Sequence, residues 1–195
     1  EAAVSIRTLI IDLLLMATNK HARLKEAADL HSAGKLAEAE TIYRELLEAK
    51  FRRADIKHLL GVERVQQGAV EEGVSYIREA VKAKPRAALV HNHLANALMQ
   101  LHRHEEALSC YRRALALNPK MADVLSNLGN VLLVLGDCEG AVKACRKALK
   151  ISPKQAEGQL NLSLALEEMG LRKESAVDRK STRLNSSYVV ISNAD

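Results

Sequence analysis

Three polar side chains stand at a fixed interval: His93, Asn127 and Asn161, each 34 residues from the next. A primary amide both donates and accepts hydrogen bonds, and a neutral imidazole does one of each. A row of such groups can pair with the backbone of an extended peptide, largely independently of the peptide's sequence. Asparagine is neither a nucleophile nor a base, so the chemistry on offer is recognition rather than bond-making.

Other residue types that could carry chemistry are scattered. The phosphate-cradling patterns GxGxxG and GxxxxGK[ST] are absent, as are GxSxG and HExxH. His91 and His93 are two apart and so do not share a helix face. His102 and His104 fall in a turn before Glu105 and Glu106. Zinc would need more convergent ligands than these, so the histidines are expected to be solvated and no metal or other cofactor is expected. Glu38, Glu40, Glu45 and Glu48 read as solvated helix faces. With no nucleophile, base and oxyanion site assembled, the chain is not read as an enzyme.

Composition narrows the partners. Net charge is +5, yet aromatics are only 3% and there is no Trp, which argues against a base-stacking nucleic-acid surface. Arg112, Arg113, Lys143, Arg146, Lys147 and Lys150 read as an outer charged face, partly complementing helix C-termini. Cys110, Cys138 and Cys145 cannot close a disulfide framework. Cys138 and Cys145, seven apart on one expected helix, would lie ~10 Å from each other. Reduced, mostly buried thiols fit a cytoplasmic location.

The elements that must position these residues follow the same interval. The segment 88–155 writes one unit twice: Leu94 falls on Leu128, Ala95 on Gly129, Ala107 on Ala141, Ala114 on Ala148 and Pro119 on Pro153. Upstream, Leu60, Gly61, Gly68, Ala80 and Pro85 keep the register, and Gly34, Ala39 and Tyr43 extend it. Downstream, Leu162, Ser163 and Gly170 do the same. Each station has a physical reason. A small residue mid-way along the first helix lets the second approach. Gly34, Gly68 and Gly136 can end the first helix with φ > 0. Ala141, Cys145, Ala148 and Leu149, at i, i+4, i+7 and i+8, make one apolar stripe on the second helix. Proline closes the unit.

These stations resemble the tetratricopeptide (TPR) repeat. Gly129, Ala141 and Pro153 fill its small, Ala and Pro positions in one unit, and Ala95, Ala107 and Pro119 fill them in the unit before. The resemblance implies an all-α solenoid, a right-handed superhelix of antiparallel helix pairs with about 4.5 repeats: 20–53, 54–87, 88–121, 122–155 and a partial 156–172. It also implies a concave groove lined by the first helices, in which a protein partner presents an extended peptide or a helix. The fifth, sixth and ninth places of each repeat would face that groove. They supply His58 in the second repeat, Asn92, His93 and Asn96 in the third, Ser126, Asn127 and Asn130 in the fourth, and Asn161 in the fifth. This set is similar to the asparagine ladder in the TPR region of O-GlcNAc transferase. The segment 126–149 resembles TPR regions that precede such glycosyltransferase domains, and bacterial TPR-sulfotransferases carry similar arms. A substrate-recruiting arm is therefore the alternative to a free interaction module. The carboxylate clamp of chaperone-tail receptors is not matched, because Asn92, Glu157 and Asn161 stand where its cations belong.

Several features depart from the repeat. Residues 1–19 form an apolar segment interrupted by Arg7 and Asp12, too short to span a membrane; residues 1–15 are expected to lie upstream of the natural start. In the first repeat, with helices expected near 21–33 and 37–50, Phe51 takes the place of proline. Gly73 replaces Ala in the second helix of repeat two, at a helix cost of ~1 kcal/mol. Arg179, Thr182 and Arg183 break the apolar stations of repeat five, and 173–195 is read as a tail foreign to the family. An uncapped fifth repeat would favour self-association.

Overall fold

A computed structural model of the chain describes residues 18–170, which contain nine helices and no strand. The expectations for residues 1–15, for Arg179, Thr182 and Arg183 and for the tail 173–195 lie outside the described residues. The helices are α1 (18–32), α2 (Leu36–Glu48), α3 (Arg53–Gln66), α4 (Val70–Ala83), α5 (Ala88–Gln100), α6 (His104–Leu117), α7 (Ala122–Val134), α8 (Cys138–Ile151) and α9 (156–170). In the first repeat α1 starts three residues and α2 one residue before the starts expected near 21 and 37. The chain divides into two compact units, Glu1–Arg103 and His104–Asp195. The first carries α1–α5 and the second α6–α9.

Two kinds of helix end alternate. The first helices stop on a left-handed residue: Gly34 (φ 77°) after α1, Gly68 (φ 85°) after α3 and Gly136 (φ 83°) after α7. After α3, the Gly68 N–H donates to Val65 O (3.1 Å) and the Ala69 N–H to Arg64 O (2.9 Å). This pair of bonds satisfies carbonyls that the helix end would leave orphaned. The same pair recurs after α5, where His102 holds the left-handed conformation at φ 57° without being glycine. The second helices α4 and α8 stop because the next residue but one is proline. Lys84 and Ser152 precede Pro85 and Pro153 and sit at φ −131° and −129°, outside the helical range. Where proline is missing, α2 ends on Lys50 (φ 54°) instead. Phe51 then packs on the core of the first repeat, its ring edge-on to His21 with centroids 4.8 Å apart.

In the first unit, Ala27 of α1, Ala39, Ile42, Tyr43 and Leu46 of α2, and Ile56 and Leu60 of α3 form one buried cluster. Each large aliphatic side chain so buried contributes roughly 1.5–3 kcal/mol. α3 and α4 run antiparallel and nearly touch backbone to backbone. A Cβ on Gly61 would come 2.9 Å from Gly73 O, and a Cβ on Gly73 would come 2.6 Å from Gly61 O. α4 is continuous through Gly73, and the glycine is what admits α3 so closely.

In the second unit α7 packs on α8 at the equivalent place. A Cβ on Gly129 would lie 2.3 Å from Cys145 Sγ, a sulfur buried at that crossing. Cys138 is also buried, and all three cysteines are free thiols. Leu132, Ala141, Val142, Ala144 and Ala165 form the core that joins α7, α8 and α9. Asp137 caps α8 by accepting the Gly140 N–H at 2.8 Å. On α9, Leu160 is 61% exposed and Leu164 41% exposed. These side chains are the apolar surface that the self-association expectation concerns. Among the described residues no helix is long and apolar enough to cross a membrane.

Candidate functional site

The candidate polar residues are distributed by helix geometry. On α7, Leu125, Leu128 and Leu132 point into the unit. At about 3.6 residues per turn, Asn127 and Asn130 point the opposite way. Asn130 is exposed and Asn127 half-buried, and exposed Asp123 and Val134 continue the same outward stripe. Ser126, one residue before Asn127, is fully buried. From α9, Asn161 donates its Nδ2 to Ser126 O at 3.2 Å and lies 3.4 Å from Ser126 Oγ. One hand of the Asn161 amide thus ties α9 to α7.

The first unit repeats this relationship with other residue types. His58 Nε2 lies 2.7 Å from His93 Nδ1, one ring donating and the other accepting. The rings are stacked, with centroids 4.8 Å apart and planes inclined by 29°. Burial, and to a lesser degree the neighbouring ring, hold His58 down at about 4; burial lowers His93 as well. Both rings are therefore neutral near pH 7, which leaves one nitrogen free to accept from the other ring. Both contacts join the fifth place of one repeat to the sixth place of the next. On α5, Asn92 is buried and its Oδ1 finds no hydrogen-bond partner among the described residues, while Asn96 is half-buried.

The structure brings together His58 with His93 and Ser126 with Asn161, and it leaves Asn130 facing solvent. Asn92 and Ser126 lie beneath the face rather than on it. The expectation of solvated histidines is corrected for His91 and His93. His91 is buried with its Nε2 3.0 Å from Pro85 O, and His93 is held by His58. Among the described residues no three His, Cys, Asp or Glu side chains converge as metal ligands.

A polar cluster outside the 34-residue ladder lies between α2 and α3. Glu63 is fully buried. Its Oε1 accepts from Gln67 at 3.3 Å, and its Oε2 finds no partner among the described residues. Burial first, and Glu40 second, raise its carboxyl from 4.5 to about 7, against the opposing pull of Arg64 and Arg44. Tyr43, also buried, is pushed up to about 12 by burial and by the Glu63 charge. Glu40, read from sequence as solvated, is instead mostly covered; it takes Arg44 at 2.7 Å and an ion pair with Arg64. The signal for Glu63 was available, because it stands at i+7 from Ile56 and i+3 from Leu60, on the buried stripe of α3.

A tetratricopeptide-repeat family model matches residues 58–114 and, overlapping, 92–156, together half of the chain. The chain belongs to the tetratricopeptide-repeat family. Solved TPR proteins share its fold. The crystal structure of MamA is 23% identical with a TM-score of 0.70, over 83% of this chain and 88% of that chain. YrrB, described as a TPR protein with an unusual peptide-binding site, is 20% identical with a TM-score of 0.62, over 77% of this chain and 74% of its own. The first TPR of Spaghetti, bound to the HSP90 peptide SRMEEVD, is 22% identical with a TM-score of 0.60, over 61% of this chain and 94% of its own. At such identities the likeness is one of fold. Among curated proteins, none matches this TPR chain.

Proposed function

We propose that this TPR protein is a non-enzymatic interaction module that holds an extended peptide against the outward polar stripe of α7, within the second unit. The observation that carries the proposal is the position of Asn127 and Asn130 on α7, turned away from the packed leucines, with Asn130 exposed. Both are amides, able to donate and accept, and a strand of peptide offers alternating donors and acceptors. Asn161 is fixed through its Nδ2 to Ser126, the residue before Asn127. The peptide-bound TPR of Spaghetti and the peptide site of YrrB support this reading by likeness of fold. A reducing compartment, the cytoplasm, suits its three free thiols.

The test is selection of binding peptides from a displayed random library against the full chain, followed by calorimetric titration of the best. Replacing both amides, Asn127→Ala with Asn130→Ala, removes two hydrogen-bonding groups worth about 0.5–1.5 kcal/mol each, and affinity should fall about five- to a hundredfold at unchanged helicity. Unchanged affinity would reject the stripe as the binding face.

A further inference from the structure

The opposite side of α7 forms a second surface, wholly within the second unit. A cleft of about 430 Å³ opens between α6 and α8, with Leu125, Leu128 and Leu132 of α7 as its floor. This is within the range of about 300–1,000 Å³ usual for binding clefts. Its walls are basic: Arg112 comes from α6, and Lys143 and Lys147, one helical turn apart, come from α8. All three are exposed, and among the described residues none of them holds an ion pair. Asp137, the one acid lining the cleft among the described residues, is engaged as the cap of α8 through the Gly140 N–H.

We infer that this cleft docks an acidic amphipathic segment of a partner protein, one that lays two leucine-class side chains on the α7 floor and carboxylates against Arg112, Lys143 and Lys147. The apolar floor supplies the non-directional part of the attraction. The three cations supply the preference for a negatively charged partner and for a particular orientation. Among the described residues no aromatic side chain lines the cleft, and these offer nothing on which a nucleobase would stack. The surface is separate from the Asn127 and Asn130 stripe, which lies on the other side of the same helix, so the two can be occupied and mutated independently.

The test is fluorescence anisotropy on the full chain with a fluorescein-labelled, glutamate-rich peptide carrying two leucines four residues apart. The peptide spans about 14 residues, roughly 21 Å of helix, to match α8. Saturable binding is expected, weakened about tenfold or more when the leucines become alanine or the glutamates become lysine. Lys143→Glu with Lys147→Glu should weaken it to a similar degree, while Asn127→Ala with Asn130→Ala leaves it unchanged. If the double reversal lowers helicity by circular dichroism, Arg112→Glu alone carries the comparison. Absence of saturation would overturn the inference, as would binding indifferent to these cations. Tighter binding of a single-stranded RNA of matching length would reassign the cleft to nucleic acid.

Discussion

His58 Nε2 and His93 Nδ1 lie 2.7 Å apart, so two imidazoles join α3 to α5 across consecutive repeats. The bond needs a neutral acceptor ring and is lost once both rings are protonated, and burial keeps His58 at about 4 against an ordinary 6.5. A base whose pKa is lowered by folding binds fewer protons in the native state than in the unfolded one. Its contribution is fully present above about pH 6.5 and is lost as pH falls through about 4. Carbon-detected NMR titration of the ring should find His58 neutral at pH 5.5. A midpoint near 6.5 would mean that the rings are not paired in solution.

Glu63 has the opposite sign. Its carboxyl, raised from 4.5 to about 7, is held protonated by the fold. The stability it contributes is present below about 4.5 and is lost as pH rises through about 7. Glu63→Gln keeps a neutral side chain of the same shape. It should raise stability at pH 8 by on the order of 1–3 kcal/mol and leave it nearly unchanged at pH 4. Urea titrations of both proteins at the two pH values check this; equal shifts at both would show that protonation is not the cause.

Gly73→Ala sets helix propensity against packing. Alanine favours an isolated helix by ~1 kcal/mol. Its Cβ, however, would lie 2.6 Å from Gly61 O and 2.5 Å from Val65 Cγ2. Separating α3 from α4 to admit it should cost about 1–3 kcal/mol. A net loss of stability is expected in chemical denaturation, and a gain would mean that the two helices are not pressed together at this point.

His102 occupies the place that Gly34, Gly68 and Gly136 hold in other repeats, at φ 57°. A residue with a Cβ is strained there by roughly 1–2 kcal/mol, partly offset by the greater unfolded-state freedom of glycine. His102→Gly should therefore raise stability by about 0.5–1 kcal/mol, read as an increase in the denaturation midpoint.

These outcomes mark which levels of structure the sequence determines locally. Glycine and proline punctuate the chain by rules that act within a few residues, so Gly34, Gly68 and Gly136 could be placed as helix ends and Pro85 and Pro153 as unit closures without coordinates. The 34-residue interval likewise located the outward stripe of α7, since helical periodicity alone sets Asn127 and Asn130 against Leu125 and Leu128. What was not legible depends on how neighbouring helices rotate against one another. Ser126 reads as exposed until α9 covers it and Asn161 bonds to it. His58 and His93 are 35 residues apart, one off the repeat, because the contact steps from the fifth place to the sixth. The packing role of Gly73 was not legible because propensity is a property of one helix, whereas the Gly61–Gly73 crossing is a property of two.

The most direct test of the central claim uses the side-chain amides themselves. In a nitrogen-labelled sample of the full chain, a saturating amount of the highest-affinity selected peptide should shift the Asn127 and Asn130 side-chain NH₂ signals, with smaller changes at Lys143 and Lys147. Amide signals that stay in place while the peptide saturates elsewhere on the chain would contradict recognition through the polar stripe of α7.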